Sequence, residues 1–316
     1  MLTLADVQAA ADRLADKRML TPIVTNGRID ALAGASVFAK AECLQETGSF
    51  KFRGASNAIA VLPPMALVSG VVAYSSGNHA QAVAAAAKAA GTTAVVVMPH
   101  DAPIQKVAMT ESHGARLVRY DRYTEDRAAI ADAIAADEGR TLIPPFDHYP
   151  TMAGQGTVAL ELLAQVDDLD ALFVPVGGGG LLAGCATAAK ALRPSIEIYG
   201  VEPEAGDDHR RSRIAGKRVD VGVPATIADG QQIPTPGELS WPINDRLTTS
   251  FLAVSDDEIT DAMRVLYNHA NLLVEPSGAC ALAAVLAGRA PVAGKRVAVV
   301  LSGGNIGWPR FVDLTS

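Results

Sequence analysis

The 316-residue chain has only three cysteines, few aromatic residues and no run of basic ones. Cys43, Cys185 and Cys280 are odd in number and far apart, so they imply neither a disulfide frame nor a zinc site; they suit buried thiols in a reducing compartment. Lys and Arg total 27 against 34 Asp and Glu, a net charge of −7, and the cationic residues are scattered. That leaves no basic stripe for nucleic acid. No uncharged apolar run is long enough to span a bilayer, and Met1-Leu2-Thr3-Leu4-Ala5-Asp6 lacks the basic start and apolar core of a leader peptide. The expectation is a soluble, cytoplasmic protein that binds neither membrane nor nucleic acid.

Hydrophobic residues, by contrast, make up 49% of the chain, enough to fill the core of two lobes. Leu4, Val7, Ala10, Ala11 and Leu14 fall at helical spacing and predict a helix over 4–16. Strands are predicted over 35–41, 70–74, 93–98, 115–120, 171–176, 196–201, 250–254 and 297–301, and helical text separates most of them. This alternation predicts an α/β protein of mostly parallel, twisted sheets with helices on both faces. The proline-rich stretch Ile143-Pro144-Pro145-Phe146-Asp147-His148-Tyr149-Pro150 reads as a crossing between lobes, one formed by residues 1–60 and 146–316, the other by 61–145. Residues 204–247, rich in glycine, proline and charge, read as a long irregular connection.

Four stretches carry chemistry. In Ser49-Phe50-Lys51-Phe52-Arg53-Gly54-Ala55 a lysine stands between two phenylalanines, near a strand-to-helix junction. Desolvation there favours the neutral, nucleophilic amine, the form that condenses with an aldehyde such as pyridoxal phosphate. The glycines Gly177, Gly178, Gly179 and Gly180 lie between a strand and a helix, where bare backbone and unpaired amides can cradle a phosphate. A dinucleotide or P-loop reading fails, because no GxGxxG and no GK[ST] ending is present. Ser75-Ser76-Gly77-Asn78-His79 follows a strand at a helix start and suits a substrate carboxylate. Ser302-Gly303-Gly304-Asn305 follows the last strand, so a third strand end converges on one sheet edge.

Together and in their order along the chain, these four motifs resemble the serine/threonine dehydratase and serine racemase family, the fold type II pyridoxal-phosphate enzymes. The resemblance spans nearly the whole chain. It implies Lys51 as the Schiff-base lysine, Phe50 beside the cofactor ring, Asn78 on its 3-hydroxyl, Gly177, Gly178, Gly179, Gly180 and Leu181 around its phosphate, and Ser302 at its pyridine nitrogen. A serine at that nitrogen does not hold it protonated, which favours prompt loss of a β-substituent over long-lived carbanion chemistry. Ser75, Ser76, Asn78 and His79 are implied on the substrate α-carboxylate.

Ser76 stands where many dehydratases have alanine, and a serine there can act as acid or base on the face opposite the lysine. With Arg119-Tyr120-Asp121-Arg122-Tyr123-Thr124-Glu125-Asp126-Arg127, it places the chain nearest the racemase and 3-hydroxyaspartate dehydratase branch. Arg127 is the candidate for the second carboxylate of 3-hydroxyaspartate. The stretch Gly230-Gln231-Gln232-Ile233-Pro234-Thr235-Pro236-Gly237-Glu238-Leu239 departs from the eukaryotic enzymes of that branch and leaves the substrate open. By the spacing of metal-dependent members, Glu202, Gly206 and Asp208 are implied as ligands of magnesium, with calcium or manganese as alternatives. The implied activity is dehydration of a 2-amino-3-hydroxy acid, whether serine, threonine or 3-hydroxyaspartate, to a 2-oxo acid and ammonia, in a homodimer. Racemisation through Lys51 and Ser76, β-replacement and a silent ligand-binding relative are the alternatives; the intact Lys51 speaks against the last.

Overall fold

The computed structural model describes residues 1–75, 77–102 and 104–316. Among these residues ten strands are formed: β1 Ile23–Val24, β2 Ser36–Lys40, β3 Val71–Tyr74, β4 Ala94–Pro99, β5 Arg116–Tyr120, β6 Thr141–Leu142, β7 Ala171–Pro175, β8 Glu197–Pro203, β9 Ser250–Val254 and β10 Arg296–Val300. They make a six-stranded sheet of order β1-β2-β10-β7-β8-β9 and a four-stranded sheet of order β5-β4-β3-β6. Every pairing is parallel except β1 with β2. Parallel strands need cover on both faces, which explains why β4 and β7 are buried along their whole length.

The two faces of the larger sheet are read directly from alternation. Phe173, Val201, Val297 and Val299 join one apolar cluster with helix Pro276–Leu286, while Leu172, Val174, Ile198, Ala298 and Val300 join a second with helices Tyr149–Gln165 and Gly180–Leu192. These last two helices touch backbone to backbone: a Cβ on Gly184 would lie 2.5 Å from the Gly156 amide. The three cysteines are buried thiols, and among the described residues no helix is long and apolar enough to cross a membrane.

Residues 204–247 are more regular than their composition predicts. They contain helices Asp208–Ala215 and Trp241–Leu247, with short 3₁₀ turns at Glu204–Gly206 and Asp229–Gln231. The first helix has almost no apolar face to read. It is held by charge instead: the Glu202 carboxylate accepts the amides of His209 and Arg210 at its start, and Asp207 pairs with Arg210 and Arg211.

Lys51 opens helix Lys51–Ala60, reached from β2 through the 3₁₀ turn Glu42–Leu44 and a left-handed Gly48. Two residues on, Arg53 is fully buried and binds two carboxylates at once. Its guanidinium meets Glu42 at 2.7 and 2.8 Å and Glu161 at 2.7 and 2.7 Å. Lys40 Nζ adds a 2.8 Å bond to Glu161, and Thr21 donates to Glu42 at 2.6 Å. Burial opposes the Glu161 charge, but Arg53 and Lys40 outweigh it and lower the carboxyl to about 2.

Removing one partner strands the others without water. Glu161→Ala is therefore expected to cost about 3–5 kcal/mol, measured by urea unfolding. The sign with pH follows from the lowered folded value: Glu161 contributes its full stability above its ordinary 4.5 and loses it as pH falls towards 2. Acid unfolding of the wild type should steepen in that window, and a Glu161→Gln variant should lack that part of the slope.

Candidate active site

Lys51 is half-buried, with Nζ 5.2 Å from the centre of the Phe50 ring and donating to the Pro145 carbonyl at 2.6 Å. Burial lowers its amine from the ordinary 10.5 to about 8. Ser302 lies next to it through the backbone, because the Phe50 amide donates to the Ser302 carbonyl at 3.1 Å. The Ser302 hydroxyl is buried and its one contact is long, 3.4 Å to the Ser277 carbonyl. It is thus free to turn to a better partner.

The glycine loop is shaped by what surrounds it. A Cβ on Gly178 would run into the Phe146 ring, and one on Gly180 would lie 2.8 Å from the Phe146 carbonyl. Gly179 has φ +90°, and its Cβ would meet the Asn244 amide and lie 2.8 Å from His209 Nε2. The Gly178 carbonyl accepts from Ser240 Oγ at 2.7 Å and the Gly179 carbonyl from Asn244 Nδ2 at 3.0 Å. With carbonyls tied back, the loop leads into helix Gly180–Leu192, whose first-turn amides are open to an anion. Leu181 is buried in the first turn and packs into the sheet. The bare backbone of this loop fits a phosphate, and a side chain at Gly178, Gly179 or Gly180 would collide with the residues packed behind it.

Asn78 is the first residue of helix Asn78–Ala89. Its Nδ2 donates to Glu275 at 2.5 Å, and its Oδ1 accepts from Asn305 at 2.7 Å. Glu275 is buried, and burial, then Asp229, raises its carboxyl to about 7. Ser75 is half-buried at the end of β3, and its hydroxyl accepts the Gly77 amide at 3.2 Å. Ser76, a candidate acid or base, lies outside the described residues. His79 is 2% exposed and its Nε2 meets the Ile143 carbonyl at 2.8 Å. Burial and then Lys51 lower its ring to about 3, so it is a neutral imidazole.

Four expected residues stand outside this cluster. Arg127 is exposed at the start of helix Arg127–Glu138, its guanidinium 5.5 Å over the Tyr74 ring, one residue from Ser75. Glu202 and Asp208 are buried behind the glycine loop, joined by His209, while Gly206 closes the turn between them. Phe146 and Asp147 stood out in the sequence only as part of the proline-rich crossing, and no pattern singled out Ser240 or Asn244. Asp147 accepts the amides of Glu238, Leu239 and Ser240 at 2.8, 2.9 and 3.1 Å, which docks the proline-rich crossing on the loop. Glu275, just before Pro276, had only its helix-start position as a signal.

Two outcomes follow. Lys51→Ala should abolish borohydride-fixed attachment of pyridoxal phosphate, and in the wild-type apoprotein that attachment should speed up with pH and level off above about 8, since the neutral amine reacts. A plateau only beyond about 10 would show an ordinary lysine. Gly179→Ala should weaken cofactor retention at least about tenfold in an absorbance titration, because a left-handed alanine and two polar contacts must be accommodated.

Residues 15–303 match the family described as pyridoxal-phosphate dependent enzymes. The chain is 45% identical over 314 residues to L-threo-3-hydroxyaspartate ammonia-lyase of Saccharomyces cerevisiae, with 99% of this chain and 96% of that one covered. It is 47% identical over 309 residues to a protein of the same name from a Pseudomonas species, covering 98% and 97%. The solved structure of maize serine racemase superposes with a TM-score of 0.95 at 39% identity, covering 99% and 96%. With residues 15–303 matching that family and relatives covered over nearly their whole length, the chain belongs to the pyridoxal-phosphate-dependent enzymes of fold type II.

Proposed function

We propose that this enzyme is an ammonia-lyase for 2-amino-3-hydroxy acids and that 3-hydroxyaspartate is its preferred substrate. The observation that carries the reaction type is the Lys51 amine, lowered to about 8 and set beside Ser302. The choice of substrate is supported by the two relatives at 45% and 47% identity that bear that name. Pyridoxal phosphate, when bound, supplies the electron sink for the pair left at Cα. Lys51 Nζ removes the Cα proton. The β-hydroxyl then leaves as water once protonated, and the resulting enamine tautomerises to an imine. Water attacks the imine carbon, so one water leaves, one enters, and a 2-oxo acid and ammonia are the products.

The remaining residues bind and orient. Gly177, Gly178, Gly179, Gly180 and Leu181 would hold the phosphate, Phe50 would lie beside the ring, and Ser302 would meet the ring nitrogen. Asn78, held from both sides by Glu275 and Asn305, presents its amide to the 3-hydroxyl. Ser75, Ser76 and the start of helix Asn78–Ala89, with His79, receive the α-carboxylate. Arg127 receives the second carboxylate of 3-hydroxyaspartate; its place one residue from Ser75, over Tyr74, supports this. A divalent cation bound by Glu202, the Gly206 carbonyl and Asp208 belongs to the same reading, supported by two buried carboxylates that converge.

A second reading, amino-acid racemisation, is favoured by the likeness to maize serine racemase and by Ser76 as the group opposite Lys51. The discriminating experiment follows ammonia, 2-oxo acid and chirality with L-serine, L-threonine and the 3-hydroxyaspartate stereoisomers. Fastest oxo-acid release from a 3-hydroxyaspartate is expected; inversion without release would replace the lyase by a racemase. Arg127→Ala should raise KM for 3-hydroxyaspartate at least about tenfold while leaving serine turnover unchanged. Ser76→Ala should suppress any inversion and spare elimination.

A further inference from the structure

Behind the glycine loop, β8 and the helix after it bring three ligand-type side chains together. Glu202 and His209 are 0% exposed and Asp208 is 1% exposed. One donor atom from each lies within 4.8 Å of the others. His209 Nδ1 is 3.3 Å from Glu202 Oε1 and 3.5 Å from Asp208 Oδ2. These separations do not make hydrogen bonds: among the described residues, His209 Nδ1 and Asp208 Oδ2 have no partner. They do match the edges of a coordination shell, since ligand atoms about 2.0–2.2 Å from one ion lie about 3.0–3.6 Å apart.

Charge points the same way. Asp207 turns to Arg210 and Arg211, which leaves Glu202 and Asp208 as two interior carboxylates. The helix amides of His209 and Arg210 relieve only Glu202. A proton on the imidazole would balance one of these charges; a dication balances both. The carboxylates that favour a proton at Nδ1 also favour a metal ion in its stead.

We propose that His209 is a nitrogen ligand, beside Glu202 and Asp208, of a divalent first-row transition ion, so that this chain's cation site selects manganese or a later metal over magnesium and calcium. The inference rests on the cation reading above and adds its donor set. Magnesium and calcium favour shells of oxygen alone, whereas imidazole draws transition ions. The ring's other nitrogen is 3.4 Å from the Asn244 amide, which also donates to the Gly179 carbonyl. Ligation at Nδ1 thus fixes the ring against the phosphate loop.

The test uses holoenzyme stripped with a chelator and dialysed against equal manganese and magnesium, with bound metal counted per chain by mass spectrometry. Cobalt is added separately and its visible absorption recorded. About one manganese per chain is expected in preference to magnesium. In His209→Gln, shown to be folded by circular dichroism, that preference should fall at least about tenfold, the cobalt bands should shift, and magnesium binding should persist. Equal manganese and magnesium in the wild type, or a preference unchanged by His209→Gln, overturns the proposal. So does the absence of any bound ion, which would leave the imidazole itself as the resident cation. The count needs no substrate, so it stands apart from the outcome of the lyase assay.

Discussion

The doubly bound Arg53 guanidinium is the constraint on which the rest of the site depends. It sits two residues from Lys51 and ties the lysine's helix to the Glu42 turn and to helix Tyr149–Gln165. A hydrophobic contact could supply comparable stability, but it would not fix the helix in rotation. Four short bonds from one planar group do, because together they fix both the plane and the direction of the guanidinium. The amine one half-turn away therefore emerges in a set direction, toward the Pro145 carbonyl.

Much of this was legible in the chain. The strand alternation that separates Phe173 and Val299 from Leu172 and Val174 is a period-two pattern any reading would find. The chemistry-bearing stretches were visible because each breaks a rule of ordinary sequence: a lysine between phenylalanines, four glycines together, polar clusters just past buried strands. Helix Asp208–Ala215 was not legible, because capping by Glu202 and ion pairs to Asp207 leave no apolar period. Nor were Asp147, Ser240 and Asn244, single polar residues whose role exists only once distant segments meet.

The proline-rich crossing illustrates the same limit from the other side. Its composition marks it as a connection, and connections are ordinarily tolerant of change. Here Pro145 receives the lysine, Phe146 lies under Gly178, and Asp147 binds three successive amides. Three adjacent residues thus join the reactive amine, the phosphate cradle and the 237–240 segment. The prolines before them restrict the backbone and so reduce the entropy lost in that docking.

Asn78 begins a helix packed on the four-stranded sheet, yet among the described residues its side chain bonds to Glu275 and Asn305, which flank the six-stranded one. Lys106 and Asp229 span the same divide. Swinging one half of the molecule away from the other therefore cannot leave this cluster intact: the Asn78 amide must lose its two neighbours first. Two of the polar contacts that join the two sheets thus share one side chain, so a substitution at Asn305 or Glu275 acts on the placement of Asn78 as well as on the docking of the two halves.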